Sequence, residues 1–564
     1  MKFKDMPYER PDLVTYEKTQ NCLLDKIQKE TDLTTLKNLI ETFKENKSNL
    51  DTLFSLCEVR HTINTNDTFY NEEFNFLTEN SPITQKIENS FNEILLKHNK
   101  RPLLEKEYGS YYFKKLELNY KCFNDKIANL LVLEQKLSDR YDTLIAGAKI
   151  SFEGKTYNLS QMAKFGQNLD RETRKKAAVA VDNFMASIDD EIGEIYLNLI
   201  QVRTKIAHEL GLKGGVELGY LRLERLDYDK DKVKNFRQGI VKNIVPIASD
   251  IFKKHAKRIG IKDPKMYDFS LSFKDGNPTP KFDTDVLVQK ALEMYSEMSE
   301  ETKEFFNVML KDELMDLETR PGKMSGGYCT AFPKYKVPFI FANFNKTSDD
   351  VNTLTHEAGH AFMYYYASKK IDDPDLIFPT MEAAEIHSTS MEFFAYPYLN
   401  KFFLEDTKKY IVSHIEDELT FLPYACCVDH FQHIAYENPS YTITDLKKAW
   451  QDLEKIYLPW RDYGECSFTA SGTFWYKQGH IFSSPFYYID YALAGLCALS
   501  FFLADINDHF EAWERYKKLC ALGGTKPFLS LLKEVNLPDP FSLDTISDIT
   551  KQLLPILEKI EVGS

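Results

Sequence analysis

Apolar residues recur at every third or fourth position along most of this chain, a period that predicts helix. Between residue 12 and about 145, segments such as Leu36 to Phe43 and Lys126 to Leu137 carry it, separated by breaks rich in Asn, Thr and Asp. The period changes over Ala148 to Leu159, where apolar and polar residues alternate around Glu153-Gly154, the pattern of a β-hairpin. A first boundary is expected there, with an N-terminal helical domain over 1–160 and a larger domain over 161–564. Helical spacing resumes at Asp170 and runs to about residue 260, and Pro278-Thr279-Pro280 marks a loop before the next helix at Asp283. Pro338 to Asn345 (PFIFANFN) is rich in aromatic and β-branched residues and reads as a strand. Directly after it, Val351, Leu354, Ala358 and Phe362 form an apolar stripe on a helix whose start is signalled by Thr347-Ser348-Asp349-Asp350. Ser368 to Thr380 reads as a loop, Met381 onward as a second helix, and residues 544–560 as a closing helix. No internal repeat or low-complexity segment interrupts this order, so the expected fold class is mainly α with one small sheet.

The helix with the apolar stripe also carries His356-Glu357-Ala358-Gly359-His360. Residues four apart on a helix lie one above the other, so both imidazoles can reach one Zn²⁺ from the same face. Glu357 lies about 100° round the helix. It is off the bonding direction of the histidines but close enough to serve as general base toward water activated at a metal. The competing reading is an ordinary helix with two surface histidines, and the cap and the stripe argue against it. Gly359 within the helix costs about 1 kcal/mol relative to alanine, which makes sense where something must approach the backbone closely.

A catalytic zinc takes three protein ligands and keeps one position open, so a third ligand is needed downstream. The metzincin pattern requires a glycine and then a histidine in the next two turns, where this chain has Met363 and Tyr366. That class is excluded and a carboxylate remains. The second helix offers Glu382, Glu385, His387 and Glu392. The three glutamates share one helical face, and their spacing alone does not rank them.

Two further segments carry candidate chemistry. His480-Ile-Phe-Ser-Ser-Pro485-Phe-Tyr487-Tyr488-Ile-Asp490-Tyr491 groups one imidazole with three phenols. Water attack on an amide creates an oxyanion that needs donors beyond the metal, and these side chains can supply them. An aromatic-rich core loop is the alternative. Gly326-Gly327-Tyr328 precedes the PFIFANFN strand, and the glycines allow close backbone approach. Together they are expected to form a small sheet whose edge takes an extended peptide by backbone hydrogen bonds.

Glu385-Ile-His-Ser388-Thr-Ser-Met-Glu392, starting 25 residues after His360, resembles the third-ligand motif of the thimet oligopeptidase and oligoendopeptidase F family. The glycine segment, the x-N-F-N strand and the His–Tyr loop appear in that family's order over about residues 320 to 495, while the N-terminal part is less similar. The resemblance implies Glu385 as the third zinc ligand beside His356 and His360. Glu382 and Glu392 would then accept hydrogen bonds that orient the histidine rings, with Asn352 helping, and His387 would be structural or contact substrate. Matched residue by residue, His480, Tyr488 and Tyr491 take the oxyanion role. Tyr487 is the alternate, because neighbouring tyrosines can be misaligned by one. The length is similar to that of compact bacterial oligoendopeptidase F-type enzymes, and Met363 stands where many members carry a further histidine. The resemblance also implies two helical lobes around a deep channel that admits short unfolded peptides.

Composition is consistent with a large enzyme: 564 residues, 43% hydrophobic and 28% charged, can bury an extensive core. The net charge of −14 argues against a nucleic-acid partner, which clustered Lys and Arg would have to hold. Nine cysteines without a Cys-x-x-Cys pair argue for reduced thiols, and the start MKFKDMPYERPD is too polar for a signal peptide. A cytoplasmic location without membrane attachment is expected, and a homodimer is left open. The expected function is endopeptidase cleavage of short oligopeptides with one Zn²⁺ per chain and Glu357 as base. Its alternatives are a zinc carboxypeptidase of related helical fold and a non-catalytic peptide-binding protein.

Overall fold

The computed structural model describes residues 1–561, so the last three residues of the expected second domain lie outside the described part. Helices dominate, and their starts follow simple capping chemistry. Leu13–Lys29, Leu33–Ile63 and Thr68–Lys97 each begin where an aspartate (Asp12, Asp32, Asp67) accepts backbone N–H groups of the first turn. These are the Asp-rich breaks of the sequence. The apolar stripes of the three helices meet in a cluster that includes Ile27, Ile40, Phe43, Phe91 and Leu95, with Phe43 and Phe91 stacked at 4.1 Å. Leu376, from the loop between the two later site helices, joins the same cluster.

The expected hairpin is present as β1 (Ile150–Phe152) and β2 (Lys155–Tyr157), with Phe152 opposite Lys155. Glu153 and Gly154 both have positive φ (47° and 75°), the conformation that matches a two-residue turn to strand twist. The second sheet has three strands, β3 (Met315–Glu318), β4 (Tyr328–Phe332) and β5 (Val337–Phe344), in the order β3-β5-β4. Strand β5 is central, parallel to β3 and antiparallel to β4. That position explains its unbroken apolar run, since Phe339 to Ala342 are buried on both faces. Strand β4 is paired on one side only.

The motif helix, Asp349–Ala367, leaves β5 through a short turn closed by Asp350. Its carboxylate accepts from the backbone N–H of Asn345 (2.9 Å) and Lys346 (2.8 Å). The ligand helix, Met381–Phe394, is buried from Glu382 to its end and packs against the motif helix. A core helix, Tyr488–Asn507, lies against the ligand helix and against the long helix Thr407–Glu437. By length and mean hydropathy (1.7) the core helix could cross a membrane, yet 72% of that stretch is buried inside the molecule. Its apolarity is explained by neighbours on all sides.

Candidate functional site

His356 and His360 project one turn apart from the motif helix, and the ligand helix brings Glu385 to both. Gly359 sets that approach: a Cβ there would lie 2.5 Å from the carbonyl oxygen of His387 and 2.6 Å from Ser388 Cα. The two helices therefore touch backbone to backbone at the glycine between the histidines. Glu385 Oε2 is 3.2 Å from His356 Nε2 and 3.4 Å from His360 Nε2. Zinc bonds of about 2.0–2.1 Å at tetrahedral angles separate neighbouring donor atoms by about 3.3 Å, so this donor set fits such an ion. Burial opposes ionisation of Glu385, but His360 and His356 hold its carboxyl well below the ordinary range. Glu357 is 7% exposed and its Oε2 has no hydrogen-bond partner. Burial pushes its carboxyl above the ordinary range.

The neighbours of these groups differ from the sequence expectation at Glu382 and Asn352. Glu392 does reach a histidine, its Oε1 lying 2.6 Å from His356 Nδ1. Glu382 does not: it is fully buried with neither oxygen bonded, and burial, then Asp490, pushes its carboxyl up to about 8. Glu382 and Glu385 are three apart, offset by about 60° round the helix, and that offset turns one toward Arg225 and Asp490 instead of the imidazoles. Asn352 Oδ1 accepts from the Tyr410 hydroxyl at 3.3 Å and makes no bond to either histidine. His387 is wholly buried with its ring edge-on to Tyr516. Burial lowers its pKa to about 3 and keeps it neutral.

The tyrosine loop needs a one-residue correction. Tyr487, the alternate, donates its hydroxyl to Glu385 Oε1. Tyr488 makes no bond to Glu385; its ring packs edge-on to His480 at 5.2 Å and against Phe421 and Tyr424, at 5.7 and 5.8 Å. Tyr487 and Tyr491 are four apart and share a helical face, their rings 4.9 Å apart, whereas Tyr488 is rotated off it. Tyr491 Oη lies 3.3 Å from His480 Nε2. The Tyr424 hydroxyl donates to Gln478 Oε1 (2.8 Å), which turns the amide Nε2 toward His480 Nδ1 (2.8 Å). That network assigns the imidazole proton to Nε2, and burial, lowering the pKa, keeps the ring neutral.

On the other side of the motif helix, a Cβ on Gly327 would be 3.6 Å from Glu357 Oε1, so the glycine keeps the approach to that carboxylate open. Gly326 has φ +92°. Tyr328 points elsewhere: it stacks on Phe341 at 4.7 Å and its hydroxyl meets Thr62 Oγ1 at 2.6 Å, tying β4 to the helix Leu33–Ile63. Gly326, Gly327, Asn343 and Thr353 line a cavity of about 700 Å³, with Gln161 and Lys164 also at its wall.

Residues 3–123 match the Peptidase M3 N-terminal domain, and residues 165–549 match Peptidase family M3. The chain belongs to peptidase family M3. Across 408 residues it is 26% identical to an oligoendopeptidase F homolog of Borreliella burgdorferi, covering 70% of this chain and 67% of that one. A structure of PZ peptidase A with an inhibitor is 41% identical, covers 99% of both chains and superposes with a TM-score of 0.96. A structure named for oligoendopeptidase F of Bacillus anthracis str. Ames is 41% identical with a TM-score of 0.92, covering 99% of this chain and 98% of that one.

Four neighbours of the site in this M3 peptidase escaped sequence reasoning. Ser388 Oγ donates to Glu385 Oε2 at 2.9 Å, one helical turn on, a spacing that was open to reading. Gln478 and Tyr424 orient His480, and His414 Nε2 lies 2.6 Å from Glu392 Oε2. Tyr424 and His414 come from the long helix, and no local pattern links them to the motif.

Proposed function

We propose that this M3 peptidase is a zinc-dependent endopeptidase of short, unfolded peptides. The observation that carries the reading is the convergence of His356, His360 and Glu385 beside a buried glutamate with a free oxygen. Zinc bound there would supply Lewis acidity, acidifying water and polarising the scissile carbonyl. Glu357 Oε2 takes a proton from the attacking water and delivers it to the leaving nitrogen. His480 Nε2–H and the Tyr491 hydroxyl donate to the oxygen that gains charge, each worth about 3 kcal/mol on usual magnitudes. Tyr487, bonded to Glu385, orients that carboxylate. The unpaired edge of β4 and the open backbone at Gly327 give an extended peptide a strand to pair with.

The test is an internally quenched peptide of roughly ten residues, incubated with and without chelator and its fragments weighed. Internal cuts abolished by chelator and restored by zinc are expected. Stepwise loss from the C-terminus would replace the reading with a carboxypeptidase. Absence of cleavage by zinc-loaded protein would replace it with a peptide-binding protein.

A further inference from the structure

Beyond the ligands themselves, the geometry points to His414, with Tyr396 behind it, as a positioning residue for the metal centre: it holds Glu392 in the orientation that keeps the His356 lone pair facing the metal. The inference rests on the zinc reading above. For His356 Nε2 to offer a lone pair, its proton must sit on Nδ1, and Nδ1 lies 2.6 Å from Glu392 Oε1. The other oxygen of Glu392 lies 2.6 Å from His414 Nε2, which therefore donates. His414 Nδ1 lies 2.6 Å from the Tyr396 hydroxyl, so the ring is held at both nitrogens. A flip of either imidazole breaks contacts at both of its nitrogens, since His356 Nε2 also meets Glu385.

Packing keeps the chain in place. Glu392 and His414 are 4% and 5% exposed, and the His414 ring stacks on Tyr410 at 5.6 Å. His414 belongs to the long helix, so an element that contributes no ligand controls a ligand on the motif helix. The dependence is one-sided: His360 Nδ1 is buried with no hydrogen-bond partner, so the orientation of the pair rests on His356. Glu392, His414 and Glu418 also lie close enough to be read as a second cation site. Both oxygens of Glu392 are already taken by imidazoles, which favours the hydrogen-bonded chain.

The experiment measures zinc affinity of the full chain by competition with a chromophoric chelator, zinc stoichiometry, and melting of the metal-free protein. His414→Leu should weaken zinc binding about 10- to 100-fold. His414→Gln, whose amide can donate to Glu392 and accept from Tyr396, should recover most of that loss at a similar metal-free melting temperature. Tyr396→Phe should give a smaller loss in the same direction. Wild-type affinity in His414→Leu, or a Gln variant no better than Leu, would overturn the inference. If the Leu variant does not fold, a Tyr396→Phe affinity equal to wild type overturns it. Two zinc ions per wild-type chain falling to one in His414→Leu would favour the second cation instead. A wild type that binds no zinc sinks the functional reading together with this one, whereas a zinc-binding wild type with an indifferent His414→Leu sinks this one alone.

Discussion

At the residue scale, Glu357 combines burial with an unshared oxygen, and a buried carboxylate left unpaired is costly unless it has work to do. Glu357→Gln keeps the shape, leaves the three ligands alone and removes the base. It should retain one zinc per chain while kcat falls by about 10²- to 10⁴-fold, measured by metal analysis and peptide turnover on the same sample. The adjacent tyrosines give a second contrast. Tyr487→Phe removes the hydroxyl on Glu385 and should cut kcat/KM by about tenfold or more, on the scale of a lost hydrogen bond to a charged group. Tyr488→Phe, which keeps the ring packed on His480 and loses no bond to Glu385, should cost less. A larger loss in Tyr488→Phe would restore the assignment read from the sequence.

At the element scale, the site is a product of two helices in backbone contact. The His-Glu-x-x-His spacing places both imidazoles on one face whatever surrounds the helix, but the distance to Glu385 is set by Gly359 meeting His387 and Ser388. Gly359→Ala adds a methyl where about 2.5 Å is free, so the helices must part. Overpacking of this kind costs about 1–3 kcal/mol. The variant should melt at lower temperature without metal, and it should bind zinc more weakly as Glu385 retreats; calorimetry and chelator competition check the two effects. An isolated helix-propensity effect would instead favour alanine by about 1 kcal/mol, so the sign of the change tells the two apart.

At the scale of the whole molecule, buried charges tie distant segments to the site. Arg203, 1% exposed, bridges Glu134 on the helix Ala128–Ala146 to the backbone carbonyls of Ile481 and Phe482, next to His480. Burial opposes the charge on Glu134, but Arg203 and Arg222 hold its carboxyl down to about 2. That is below the ordinary carboxyl value of 4.5, so the unfolded chain takes up the proton first. The contribution is present above pH 4.5 or so and is lost as pH falls toward 2. Glu134→Gln should therefore lower the melting temperature most near pH 7, with the gap to wild type closing below about pH 3. A gap independent of pH would mean that packing, not charge, is what Glu134 supplies. Lys44 makes a comparable tie, its ammonium reaching Asp373 at 2.7 Å and Asp375 at 3.1 Å in the loop between the two ligand-bearing helices.

Local rules determined a good deal of this protein. Aspartate caps and three-to-four periodicity placed the N-terminal helices, alternation around Glu153-Gly154 placed the hairpin, and the spacing of His356 and His360 placed two ligand candidates, because each depends only on residues within a turn or two. Whatever depends on how far one element turns against another was decided by the tertiary structure. Glu382 lies three residues before Glu385 and Glu392 seven after it on one helix, yet of the two only Glu392 reaches a histidine, since a small difference in rotation separates an imidazole from Arg225. Tyr487 and Tyr488 are equally polar and adjacent, and the start of the core helix turns one to Glu385 and the other into the interior. His414 and Tyr424 carried no signal in the sequence at all: they sit on the long helix, and only its packing across the site brings them to Glu392 and Gln478.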